Sequence, residues 1–235
     1  MHLEWGMANE IISYLEMCSR EGVSLQRGMN FSLQGTHSVI LMSVRPNAPY
    51  ADRFEDDGST IIYEGHDVPR SAKNPDPKQV NQPEFTPSGN LTQNGLFKRA
   101  ATEFKAGNRQ PERVRVYEKL RQGIWSYNGV FLLVDASLEE SDGRAVFKFR
   151  LNAVEGEEDF SEPVAPTAAR RRVIPTPVKL EVWKRDEGRC VKCGATDELH
   201  FDHVIPYSKG GTSLTAENVQ LLCARHNIRK KDNIE

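Results

Sequence analysis

Apolar residues recur at Ile11, Ile12, Leu15 and Cys18 across Ala8 to Arg20, a spacing that predicts a helix packing one face, with Gly22 as its stop. Downstream the period shortens. His37 to Val44, Thr60 to Tyr63, Arg113 to Glu118, Tyr127 to Asp135 and Arg144 to Leu151 are short runs rich in β-branched and aromatic residues, and they predict strands. Asp57-Gly58, Asn128-Gly129 and Asp142-Gly143 supply turn or bulge residues between or within them. A helical period returns over Asn94 to Lys105, through Leu96, Phe97, Ala100 and Phe104. The expected fold class is α+β, a twisted, largely antiparallel, barrel-like sheet with helices. Asp67 to Gly89 holds five prolines and no clear period, which predicts a long functional or mobile loop. From Glu155 to Pro177 the chain turns acidic, then rich in Ala, Pro and Thr, then basic at Arg170, Arg171 and Arg172. That segment reads as a semi-extended linker, its arginines either solvated or on phosphate. The expected organisation is a domain over 1–154, a linker over 155–177 and a small domain over 178–235. No internal repeat is visible.

Composition narrows the class. Over 235 residues, 38% hydrophobic and 27% charged is enough apolar material for packed cores and too polar for a membrane protein. No apolar stretch is long enough to span a bilayer, and the start lacks the order of a secretory signal, so the cytoplasm is the expected address. The net charge of −2 hides an asymmetry. Residues 170–235 carry 13 Lys and Arg against 9 Asp and Glu, or +4, which leaves 18 against 24, or −6, for the rest. Three of the four cysteines sit at metal-ligand spacings near the C-terminus, while Cys18 reads as a small buried apolar residue.

Cys190-Val-Lys-Cys193 and Cys223-Ala-Arg-His226 form two knuckles, each with two residues between ligands, the pattern of a closed tetrahedral zinc site. Such a site holds a fold together, so chemistry is to be sought between the knuckles. There stand Asp202 and His203, then Gly210-Gly211, then Asn218. Adjacent residues of a strand point to opposite faces, so Asp202 suits a hard divalent cation and His203 a base titrating near neutrality.

This segment, from about Val182 to Asn233, resembles the HNH family of ββα-metal nucleases, with Asn227 and Lys230 following the second knuckle. His226 departs from the family pattern, standing where many relatives have a fourth cysteine. The resemblance implies structural Zn²⁺ on Cys190, Cys193, Cys223 and His226, and a catalytic Mg²⁺ or Mn²⁺ on Asp202 and Asn227. The reverse assignment puts His226 on the catalytic metal and leaves the zinc site incomplete. His203 is the expected general base and Asn218 the brace of the loop carrying it. Lys209, Arg225, Arg229 and Lys230 are expected on the DNA backbone.

The first domain carries Pro49-Tyr-Ala-Asp-Arg-Phe-Glu-Asp-Asp-Gly58, followed by Tyr63-Glu-Gly-His-Asp67. With Gly35-Thr-His-Ser-Val-Ile-Leu41 before it and Val114-Arg-Val-Tyr117 after it, this stretch resembles the SRA (YDG) domain, an SRA/PUA-like reader of modified cytosine. The resemblance implies a flipped base held by Tyr50 and Tyr63, its edge read by Asp52, with Asp56 and Asp57 as alternatives. Gln26, Arg27 and the loop around Lys78 and Gln79 are the expected DNA contacts of this domain. Together the parts resemble modification-dependent restriction enzymes of SRA-HNH architecture. The implied partner is double-stranded DNA with 5-methylcytosine or 5-hydroxymethylcytosine, and a double-strand break would suggest a symmetric homodimer or two enzymes recruited to one locus. Two further readings stay open: a reader with a non-catalytic zinc-stabilised clamp, and a nuclease with a different targeting module.

Overall fold

The computed structural model describes residues 8–154, 173–206, 209–231 and 233–234, apart from the side chain of Asp57. The fold is α+β, and all ten strands among the described residues belong to one sheet. Glu10–Ser13 is β1 and Tyr14–Glu21 is α1. The helix expected over 8–20 is thus divided, because Ser13 and Glu16 form a capping box that starts the helix only at Tyr14. The residues before it take their hydrogen bonds from neighbouring strands. Gly22, at φ 66°, stops the helix as expected.

The chain continues through β2 (Met29–Leu33), β3 (His37–Met42), β4 (Arg53–Glu55), β5 (Thr60–Glu64), α2 (Gln93–Lys105), β6 (Glu112–Arg121), β7 (Ile124–Ser141) and β8 (Arg144–Ala153). Then come α3 (Thr176–Arg185), β9 (Leu199–His203), β10 (Val219–Cys223) and α4 (Ala224–Lys230). The path across the sheet is β10-β9-β1-β7-β6-β3-β2, antiparallel except for β3 on β6. One edge of β7 pairs with β1 near its start and with β8 from Phe131 onward. β8 then pairs with β5, so the sheet curls into a barrel-like shape. Asn128 and Gly129 lie at a bulge where β7 slips against β6, and Gly129 has φ 87°. Asp142-Gly143 turns the β7–β8 hairpin with both residues at positive φ.

α2 lays Phe97, Ala100 and Ala101 on the concave face, against Ile40, Met42, Val116, Phe131 and Phe149. Each large side chain buried there contributes about 1.5–3 kcal/mol. A second core joins Leu120 and Ile124 of the first domain to Val178, Val182, Leu199, Phe201, Leu221 and Leu222.

The proline-rich stretch over 67–89 is held at several points. Gln82 is buried, donating to Gly65 O at 2.6 Å and accepting from Phe147 N at 2.8 Å. Of the expected linker, residues 155–172, with the arginine run, lie outside the described residues. The remainder is packed: Val173 and Ile174 are buried, and Thr176 and Pro177 open α3, whose first turn tolerates proline. No helix is long and apolar enough to cross a membrane among the described residues.

Candidate functional site

β9, β10 and α4 form a ββα unit. In the β9–β10 register Gln220 opposes Asp202 and Val219 opposes His203. The Cys190 knuckle docks on this hairpin through Val191 N to Leu221 O, 3.0 Å, and the second knuckle runs from the end of β10 into α4. The ligand atoms of Cys190, Cys193, Cys223 and His226 all lie within 4.8 Å of one another. Cys193 Sγ is 3.9 Å from Cys223 Sγ, and His226 Nδ1 is 3.4 Å from Cys190 Sγ and 3.3 Å from Cys223 Sγ. Tetrahedral zinc with bonds of about 2.3 Å to sulfur and about 2.0 Å to nitrogen would set roughly 3.8 Å between sulfurs and 3.5 Å from sulfur to nitrogen. The donor set fits zinc. Burial opposes ionisation of the Cys190 thiol, but backbone N–H groups of Cys223, Lys192 and Cys193 outweigh it and bring the thiol to about 6. His226 lies with the thiols, as the first assignment expected.

Between the knuckles, Asn218 ties Ile205 to Thr212. Its Oδ1 accepts from Ile205 N at 2.8 Å, and its Nδ2 donates to Ile205 O at 3.0 Å and Thr212 O at 2.8 Å. Gly211 lies so close that a Cβ there would stand 1.8 Å from Ile205 O. His203 Nε2 is 2.9 Å from Ser213 Oγ, and Ser213 is buried. Burial, with the positive charge of Lys230, pushes the His203 imidazole below its usual range.

Asp202 leaves the strand toward α4, where Lys230 Nζ is 3.1 Å from its Oδ2 and donates to His203 O at 2.7 Å. Lys230 was expected on the DNA backbone. It is instead 2% exposed, and its ammonium pins the end of β9. Asn227, half-buried, precedes Lys230 by three residues on α4 and so shares its face. Arg225, Arg229 and Lys209 are exposed.

In the first domain a cavity of about 200 Å³ is lined by Tyr50, Asp52, His66, Ser43, Lys119 and Trp125, among others. Tyr50 stacks on His66, with ring centroids 5.0 Å apart and planes at 9°. Tyr63, expected as the second stacking wall, lies in the core at 1% exposure. Its hydroxyl donates to Gly28 O at 3.1 Å and meets His66 Nε2 at 3.0 Å, so it holds the histidine and lines no opening. Asp52 accepts from Ser43 N at 3.1 Å and Glu64 N at 3.0 Å, which ties β3 to β5. Burial raises its carboxyl to about 7, outweighing those two donors. Asp56 is exposed, bonded to Thr60 Oγ1 away from the cavity, and the Asp57 side chain lies outside the described residues. Gln26 and Arg27 are exposed beside Gly28, which lines the cavity. Lys78 pairs with Asp67 at 2.9 Å, donates to Pro49 O and sits 4.2 Å from the centre of the Tyr50 ring.

Ser213, His66, Lys119 and Trp125 were absent from the expected site. His66 has a local signal, three residues after Tyr63, whereas Trp125 reaches the cavity only through the pairing of β6 with β7.

Residues 190–233 match the HNH endonuclease family, so an HNH domain forms the C-terminal part of the chain. No curated protein matches the chain. Among solved structures, it is similar to the SRA domain of SUVH5 in complex with hemi-methylated CG DNA, at 21% identity and TM-score 0.46, covering 66% of this chain and 92% of that one. It is also similar to ScoMcrA, a type IV phosphorothioation-dependent restriction endonuclease, at 16% identity and TM-score 0.43, covering 97% of this chain and 56% of that one. The sulfur-binding and SRA domains of ScoMcrA with phosphorothioated DNA give 19% identity and TM-score 0.44, over 68% of this chain and 43% of that one.

Proposed function

We propose that this protein is a modification-dependent DNA endonuclease, in which the first domain admits a flipped 5-methylcytosine or 5-hydroxymethylcytosine and the HNH domain hydrolyses a nearby phosphodiester bond. One observation carries the reading: a half-buried His203 held by Ser213 and the Asp202 carboxylate leave opposite faces of one strand end, beside Asn218 bonded to Ile205 and Thr212 and a Cys₃His cluster.

His203 Nε2 is engaged by the Ser213 hydroxyl, so Nδ1 is the nitrogen that takes the proton of the attacking water. Asp202 and Asn227 offer a carboxylate and an amide oxygen, donors that suit Mg²⁺ or Mn²⁺. When bound, such an ion supplies charge stabilisation to the phosphate and the departing 3′ oxygen. Products carry 5′ phosphate and 3′ hydroxyl. Arg225, Arg229 and Lys209 are exposed and hold the backbone by charge.

In the reader, a cavity of about 200 Å³ is smaller than the roughly 300–1,000 Å³ of sites for drug-sized ligands and suits a single base. The Tyr50–His66 pair forms its aromatic wall. Each Asp52 oxygen keeps acceptor capacity beyond its one backbone N–H, enough for an exocyclic amine. Gln26 and Arg27 are the candidates to enter the gap left by the base. One HNH site cuts one strand, so a double-strand break requires a second copy, and a homodimer is the simplest source.

The test is one plasmid, with and without cytosine methylation, incubated with Mg²⁺ or Mn²⁺ beside the His203→Ala variant. Cutting confined to the methylated plasmid and lost in the variant is expected. Equal cutting of both plasmids would remove the reader, and undiminished cutting by His203→Ala would remove the base.

A further inference from the structure

The composition of 155–177 predicts two bodies on a tether, but the packing describes something else. Ala153 N donates to Ser59 O at 2.8 Å, and Val173 N donates to Gly58 O at 3.1 Å. The described residues on either side of 155–172 are therefore anchored at neighbouring positions, Ser59 and Gly58. Gly58 is needed for this return, since a Cβ on it would stand 2.3 Å from Val173 O. A span whose ends are anchored side by side sets no distance between domains.

What joins the domains is the end of the β6–β7 hairpin. Glu118 opposes Ser126 and Lys119 opposes Trp125 in its register. Side chains alternate between faces along a strand, so these two pairs serve opposite sides. Lys119 and Trp125 line the base cavity. On the other side, Glu118 Oε2 is 2.8 Å from Lys179 Nζ of α3, and both side chains are fully buried. Lys179 also donates to Asn128 Oδ1 at 2.6 Å, Asn128 donates to Glu118 at 3.0 Å, and the Thr176 hydroxyl donates to Glu118. Leu120 and Ile124 of the same hairpin also share an apolar core with Val178 and Val182 of α3. At the far end β1 carries the sheet across, with Glu10 opposite His200 and Phe201 N donating to Asn9 O at 3.0 Å.

We infer that this hairpin end fixes the offset between base cavity and nuclease, that Lys179 is the positioning residue of the joint, and that cleavage falls at a set distance from the modified base whatever the length of the 155–172 segment. A buried ion pair with its remaining hydrogen bonds satisfied has one low-energy geometry, which makes it an orienting device. The inference rests on the reading of the protein as a modification-dependent nuclease, and the experiment separates the two.

The substrate is a duplex bearing a single 5-methylcytosine, with cut positions read at nucleotide resolution. The chain as it stands, and one with 156–169 replaced by a shorter Gly-Ser segment, are expected to cut at the same position. A shifted cut in the shortened chain overturns the inference. Lys179→Ala is expected to broaden the cut positions while its zinc content and its binding to the methylated duplex stay within about twofold of the parent. An unchanged cut pattern in that variant removes Lys179 from the role. A second measurement needs no cutting: with a protease site placed inside 156–169 and nicked, the two fragments are expected to co-elute on gel filtration. Separation of the fragments overturns the rigid joint. Absence of cutting on every duplex, with fragments still co-eluting, counts against the nuclease reading alone.

Discussion

Replacing Asn218 tests the catalytic loop by the three hydrogen bonds that one amide makes. Asn218→Ala removes one bond accepted from Ile205 N and two donated to Ile205 O and Thr212 O. At about 1 kcal/mol net each, the upper figure is about 3 kcal/mol, and access of water to the loop carbonyls lowers it to about 2 kcal/mol. For a chain of this size that is a fall in Tm of roughly 4–8 °C. Asn218→Asp is nearly isosteric and separates the donors from the acceptor. The introduced carboxylate still accepts from Ile205 N but faces two carbonyl oxygens, which raises its folded pKa above the unfolded value. A raised folded pKa means that the native state binds the proton more tightly, so this group's own contribution is full below about pH 4 and is lost as pH rises through its folded pKa. Urea unfolding at pH 5 and pH 8, with zinc content and nicking rate on the same samples, reads all of this. The expected order at pH 8 is parent, then Ala, then Asp, with nicking reduced at least about tenfold in both variants. The reasoning is refuted if Asn218→Ala lies within about 0.5 kcal/mol of the parent, or if Asn218→Asp shows no pH dependence beyond the parent's.

Purified protein is expected to carry one zinc per chain, lost in Cys223→Ser; structural zinc of this kind binds with about 10–16 kcal/mol, so metal analysis and limited proteolysis should show the C-terminal unit opening. Gly211→Ala places a Cβ 1.8 Å from the backbone oxygen of Ile205, and nicking is expected to vanish while the melting of the first domain is unchanged. Asp52, raised to about 7 by burial, gives the native state a proton that the unfolded chain releases near pH 4. Its contribution is full below about pH 4 and is lost as pH rises through 7, up to about 4 kcal/mol across that window, and Asp52→Asn should remove this slope from unfolding measurements. Lys179→Met leaves Glu118 buried without its cation, at a cost of about 3–5 kcal/mol, and adding Glu118→Leu should recover most of it in chemical denaturation.

Much of the site was legible because its information is local. Each ligand pair, with two residues between its members, is a local pattern, and Cys190, Cys193, Cys223 and His226 do lie together, while Asn218 bonds to Thr212 as the HNH resemblance implied. Alternation along the strands, and the Gly and Asp turns between them, gave the α+β sheet. What was missed depends on tertiary packing. Lys230 reads as a DNA contact by charge, and only the approach of α4 to β9 turns it inward. Tyr63 and Tyr50 are alike in sequence, yet β5 puts one in the core and leaves the other on the cavity. Ser213 reaches His203 across a loop whose closure no periodicity reports. The helix expected from Ala8 onward failed because Ile11 and Ile12 serve two different cores, one on each side of β1, a pattern a strand satisfies as well as a helix.

The position of β1 in the sheet bears on how the molecule is made. Its outer edge is covered by His200 and Phe201, residues translated some 190 positions later. On the ribosome that edge waits uncovered until the nuclease hairpin emerges, a non-local pairing of the kind that slows folding. Unpaired edges recruit other strands, so an aggregation-prone edge of the nascent first domain is hidden only by a part of the chain made later.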